Sequence, residues 1–157
     1  MHKYLPFFFG PQADYYTSVA DDLDEGKTRF NEGAFFFGMF WMAYRKMYGH
    51  AAITFALIMA ESMLEDRLIP QLSKTFAYSL ISNLLIASVI GFIGNRLYID
   101  FARKRVDKLT GHTRSYTIPD QDVIVQLRQQ GGVSWVGPFV LLLLFVCLTA
   151  TLFYLTM

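Results

Sequence analysis

The sequence predicts an all-α integral membrane protein with about three transmembrane helices, an aromatic interfacial or re-entrant helix, and short cytoplasmic amphipathic helices. Two uncharged runs carry this expectation, residues 76–94 and 133–157, each close to the roughly 20 residues a helix needs to cross a hydrocarbon layer of about 30 Å. The third observation is composition. Hydrophobic residues make up 54% of the 157-residue chain and aromatics 17%, and they are gathered into long blocks instead of amphipathic spacing. Blocks of that kind suit lipid, and the length suits one membrane domain, 1–157.

Residues 1–33 read as a cytoplasmic N-terminal segment. The run Leu5, Pro6, Phe7, Phe8, Phe9 is shorter than the apolar core of a signal peptide and lacks a small-residue cleavage site, so no cleaved leader is expected. Asp21, Asp22, Asp24 and Glu25 follow Tyr15 and Tyr16 and suggest one short amphipathic helix serving as a solvated cap.

Residues 34–44 hold Phe35, Phe36, Phe37, Phe40, Trp41 and Tyr44 around an apolar core too short to cross alone. These aromatics belong at an interface, as a helix on the cytoplasmic surface or as the start of the first span with a bend near Gly49. Gly33 and Gly38 flank the Phe triplet and favour close backbone packing, so Trp41 and Tyr44 are expected to fill pockets on other spans or on a partner.

The first span, 46–64, is apolar from Ala51 to Ala60 and is interrupted by Glu61; an in-plane or re-entrant segment is the alternative. Arg45 and Lys46 at its start would snorkel to lipid headgroups or act only as topology determinants. Glu61 is the one carboxylate expected at membrane depth, where acids are costly and commonly functional. The competing reading makes it an interfacial residue that reaches water or pairs with Arg67 or Lys74.

In the second span, 76–94, the residues Ser79, Asn83, Ala87, Gly91 and Asn95 recur every fourth position. They form a small and polar ridge of the kind that lets helices pack closely in lipid. Beyond the span Leu97, Phe101 and Arg105 share one face, so the helix should continue amphipathically to Leu109 and end before Gly111. A second short helix should start at Pro119 and Asp120, present Val123, Ile124 and Leu127 on its apolar side, and stop at Gly131 and Gly132. The final span, 133–157, carries Trp135 and Tyr154 near its ends and Pro138 in its first turns, positions that fit an interfacial belt and a tolerated proline. Cys147, the single cysteine, lies inside it as an apolar filler and excludes an intramolecular disulfide.

Orientation follows from the basic residues. The loop 95–132 carries Arg96, Arg103, Lys104, Arg105, Lys108, Arg114 and Arg128, against Arg67 and Lys74 in the short loop before residue 76. Under the positive-inside rule the basic loop and the N-terminus are cytoplasmic and the C-terminus periplasmic.

The formal net charge of +1 gives no sign of a nucleic-acid partner. His2, His50 and His112 are far apart, without a second ligand at metal spacing, and no phosphate loop, nucleophile elbow or dinucleotide fingerprint occurs. No catalytic residue, metal or cofactor is therefore expected.

The run Phe30, Asn31, Ala34, Phe35, Phe36, Phe37, Gly38, Trp41, Tyr44, Arg45, Lys46, Met47, Tyr48 resembles the signature of a bacterial family of small membrane proteins, domain of unknown function 2628. Gly94-Asn95-Arg96-Leu97-Tyr98 is similar to that family's Asn-x-x-Tyr end of a later span, and Gly131-Gly132-Val133-Ser134 to its Gly-Gly segment. The resemblance implies a multi-span bacterial inner-membrane protein and transfers no catalytic residues. The expected function is a non-catalytic accessory or scaffold subunit packed against a larger membrane complex, with lipids and other integral membrane subunits as partners. The alternative is a small homo-oligomeric transporter, channel or membrane-stress protein in which Glu61, Asn83 and Asn95 line a path.

Overall fold

The computed structural model describes residues 2–111 and 121–156, which form helices joined by short connections, with no strand among them. In chain order the helices are α1 (Leu5–Phe9), α2 (Ala13–Asp24), α3 (Glu32–Tyr44), α4 (Tyr48–Leu68), α5 (Phe76–Thr110), α6 (Gln121–Gln130) and α7 (Val136–Thr156).

The longest helix, α5, has 35 residues and at 1.5 Å per residue extends about 50 Å, more than a bilayer core. Its first half turns Leu80, Leu84, Leu85, Val89 and Phe92 outward, whereas its second half buries Tyr98, Ile99, Ala102 and Val106. One helix thus leaves an apolar surface and enters a packed core, ending at Thr110 as the continuation of its apolar face predicted.

Among the described residues α5 is the one helix both long and apolar enough to cross a membrane. Of the three expected spans, only the one in α5 is supported among the described residues. The last turns of α4 carry Glu61, Glu65, Asp66 and Arg67, which shorten its uncharged stretch. Helix α7 has 21 residues and no charged side chain in its sequence.

A second correction concerns the N-terminal segment. Amphipathic α2 buries Tyr16, Val19 and Ala20, and α1 buries Leu5, Phe8 and Phe9, so both are parts of the core instead of a solvated cap. They pack with the second half of α5 and with α6, whose Val123, Ile124 and Leu127 face inward as the sequence suggested. The expected start of that helix at Pro119 and Asp120 lies outside the described residues. Asp24 holds Arg103 at 2.7 Å and ties α2 to α5.

The aromatic segment becomes α3, which packs against α5, α4 and α7 together. Asn31 caps it, accepting the Ala34 N–H at 2.7 Å, as N-cap side chains do for the third backbone donor of a helix. Gly38 breaks it with φ +48° and ψ −120°, a conformation that a Cβ disfavours.

At its other end the Met47 N–H bonds to the Met42 carbonyl and the Lys46 N–H to the Ala43 carbonyl, a Schellman motif with Lys46 in the left-handed position at φ +60°. The chain therefore turns into α4 at Lys46 and not at Gly49, which lies inside α4. A β-carbon is strained there, so Lys46→Gly should raise stability by about 1 kcal/mol. A thermal melt checks this; a lower melting temperature would mean that the Lys46 ammonium bond to the Gln129 carbonyl, 2.9 Å, outweighs the strain.

Candidate functional site

The site grows from the meeting of α3 with α5. Gly91 and Gly94 let α3 approach: a Cβ at Gly94 would lie 2.7 Å from Ala34 Cβ, and one at Gly91 2.5 Å from the Phe30 ring. The Asn31 N–H donates to the Gly91 carbonyl at 2.9 Å, and the Asn31 side-chain amide donates to Asn95 Oδ1 at 2.7 Å. Asn95 in turn donates to the Arg29 carbonyl at 2.9 Å and lies 3.3 Å from the Tyr15 hydroxyl.

Both asparagines are buried, and a buried polar group left without a partner costs about 1–3 kcal/mol. Asn95→Leu should therefore destabilise the fold by about that amount. Denaturant unfolding decides it, and an unchanged midpoint would show that water replaces the lost bonds.

Next to this pair lies Arg45, immediately after α3. Only 2% exposed, it does not snorkel: its guanidinium centre is 4.5 Å from the Tyr16 ring centroid and 5.2 Å from that of Tyr98. Tyrosine faces attract a cation through their quadrupoles. One nitrogen, Nη2, donates to the Gln12 side-chain carbonyl, while Nε and Nη1 are buried without a hydrogen-bond partner. No carboxylate pairs with Arg45 among the described residues. Lys46, in contrast, is half-buried and reaches Gln129.

Asn31 and Arg45 border a cavity of about 630 Å³ walled by Tyr15, Tyr16, Trp41, Tyr44 and Trp135, with Gln12 and Arg29 among its polar groups. A concave, mostly aromatic space with a few convergent polar groups is the common form of a ligand site. Arg45 supplies donors and charge and no base, so the chemistry on offer is anion binding.

Burial pushes the Tyr16 phenol above its ordinary value, against the opposing pull of Arg45, and Tyr98 is raised for the same reasons. Both stay protonated in the fold at a pH where the unfolded chain, with phenols near about 10, has lost those protons. Stability should thus be fully present below that pH and fall as pH rises above it. Comparing alkaline unfolding of the native chain with Tyr16→Phe tests this: a shallower alkaline loss is expected, and an identical pH profile would refute it.

The other singled-out residues separate. Of the small ridge, Gly91 and Asn95 are buried against α3, Ala87 is half-buried, and Ser79 and Asn83 are exposed, with Asn83 donating back to the Ser79 carbonyl at 2.7 Å. Of the aromatic segment, Trp41 is 7% exposed, Phe35, Phe40 and Tyr44 are half-buried, and Phe36 and Phe37 point outward. Tyr44 meets Trp135 at a tilt of 58° with centroids 4.9 Å apart, and its carbonyl accepts the Ser134 N–H at 2.9 Å.

Glu61 pairs with neither Arg67 nor Lys74 among the described residues; it accepts from the Ser82 hydroxyl at 2.8 Å. That hydroxyl also lies 2.9 Å from Glu65, which accepts from Tyr78 at 2.6 Å. Glu65 was missed because it sits among charges at the end of α4, although its spacing of four from Glu61 was visible. Gln12, Tyr15 and Tyr16 were also missed as site residues, since nothing local to α2 shows that it folds over Arg45. Asn95 is enclosed by Asn31, Arg29 and Tyr15.

A helical core with a cation-centred aromatic cavity, and one helix leaving that core that is long and apolar enough to cross a membrane, define the described residues as an all-α protein. Residues 17–104 match the family described as protein of unknown function DUF2628. With more than half of its 157 residues matched, the chain belongs to that family. The match runs from α2 to the second half of α5 and so includes Asn31, Arg45, Asn95 and Tyr98. No curated protein and no solved structure matches the chain.

Proposed function

We propose that the chain is a non-catalytic accessory or scaffold subunit of the bacterial inner membrane, with its packed core in the cytoplasm and its apolar helices set among lipids and other integral membrane subunits. The observation that carries this reading is the face left open by the fold. Ile53, Leu57, Leu64, Leu84, Phe92 and Leu143 are among the large apolar side chains exposed along α4, the first half of α5 and α7. A surface of that extent marks a membrane or protein contact.

The same three helices diverge from α3 and make few contacts with one another, leaving grooves where lipid tails or foreign helices fit. In this reading α4 and α7 accompany α5 into the bilayer. Their crossing is completed by neighbours that take up the charged end of α4. The basic residues between α5 and α7 favour the cytoplasmic side for that connection in this reading.

A reporter enzyme inserted in the segment 111–116 should behave as cytoplasmic and one fused after Met157 as periplasmic. The reverse pattern at both sites would overturn the orientation. For the subunit role, crosslinking in the native membrane followed by purification in mild detergent should recover defined integral membrane proteins. Recovery of a lone monomer would remove the proposal.

A further inference from the structure

We propose that the cavity beside Arg45 is a binding site for a phosphate or similar anionic group carried on an apolar body. The inference is independent of the subunit role. Three observations support it.

First, Arg45 is a buried cation whose Nε and Nη1 lack hydrogen-bond partners. A buried charge without a counter-charge is costly, and the usual remedy is an anion that accepts from the guanidinium fork. The Tyr16 and Tyr98 rings hold the guanidinium in place, and both phenols interact with Arg45, yet Nε and Nη1 are left without a hydrogen-bond partner.

Second, the group that does meet it is the neutral amide of Gln12, on an exposed side chain bordering the same cavity. Rotation of this one side chain uncovers a donor that a phosphate oxygen satisfies better, because a charged acceptor strengthens the bond. Arg29 lines the cavity too, although it is already engaged by Asp22.

Third, the cavity leads from cation to apolar surface. Its wall runs from Arg45 through Tyr44 and Phe40 to exposed Phe37 and to Pro138 and Trp135 at the start of α7. A volume of about 630 Å³ is in the range that encloses a small ligand or a lipid headgroup with its first methylenes. An anion seated at Arg45 would have its apolar part pointing to the face that α7 and α3 leave open. The shared ligand chemistry is a phosphate group, and the source is either a membrane lipid headgroup or a free phosphate.

The chain has two tryptophans, and both Trp41 and Trp135 line the cavity, so intrinsic fluorescence reads it directly. Full-length protein in maltoside detergent is titrated with phosphatidylglycerol, with inorganic phosphate, and with uncharged diacylglycerol. The expected result is a saturable change with phosphatidylglycerol, and none with diacylglycerol. Arg45→Gln should weaken the binding at least tenfold. A response to inorganic phosphate at similar concentration identifies a free anion as sufficient; its absence identifies the lipid.

Gln12→Glu is the second variant, because it sets a carboxylate on the guanidinium from an exposed position. It should abolish the anion response while the melting temperature stays level or rises, and it decides the matter if Arg45→Gln fails to fold. No saturable change with either anion, an equal change with diacylglycerol, or unaltered binding in Gln12→Glu would overturn the site.

Discussion

Trp41→Ala should lower the stability of the fold by about 3–5 kcal/mol, the usual cost of truncating a buried aromatic. The indole sits between two glycines. A Cβ at Gly33 would stand 2.9 Å from its ring and one at Gly94 3.7 Å, and the Tyr98 ring lies edge-on with centroids 6.0 Å apart. The two glycines have no side chain to fill the space the indole would leave. Phe36→Ala and Phe37→Ala provide the comparison. These rings are 74% and 64% exposed, and their loss should shift the melting temperature little in detergent. A mild effect of Trp41→Ala, equal to those two, would show that the aromatic segment is an interchangeable lipid anchor and that the indole pocket contributes nothing.

The second large effect is expected at the crossing of α3 and α5. Gly94→Leu brings a branched side chain against Ala34 Cβ, an atom fixed to the backbone of α3, so the helices must separate and the Asn31 to Asn95 bond must lengthen. Overpacking costs about 1–3 kcal/mol where side chains can adjust, and this substitution should reach or exceed the upper end. Gly91→Leu meets chiefly the partly exposed Phe30 ring and, at 3.1 Å, the Phe35 Cβ; with the backbone-fixed atom farther off than Ala34 Cβ is from Gly94, its effect should be smaller. Denaturant midpoints of the two variants measure the order. If Gly91→Leu proves the more damaging, the Phe30 ring is held more firmly than its exposure implies.

Much of the helical plan was legible because it rests on local pattern. The extension of α5 to Thr110, the apolar face of α6 and the run of α7 all follow from periodicity and from helix-ending residues. The family resemblance was also legible, in the stretch from Phe30 to Tyr48. The site was less so. Arg45 and Trp41 stood out as residues, but one was read as a snorkelling cation and the other only as an aromatic that fills some pocket.

What the sequence determined by itself is therefore the helical class, the apolar blocks and the residues available at each turn, since these depend on side-chain chemistry within a few positions. The tertiary structure decided which face each helix buries. It folded the short α1 and the acidic α2 inward, where Phe9, Tyr16 and Tyr98 meet. It turned the chain at Lys46 by a left-handed residue that no propensity favours. It enclosed Arg45 under rings brought from α2 and α5, up to 53 residues away in sequence at Tyr98. The physical reason is that burial is a property of the whole packing arrangement. A charged side chain beside an apolar run has the same local pattern whether it reaches water or is covered by aromatic rings, and only contacts between distant segments distinguish the two.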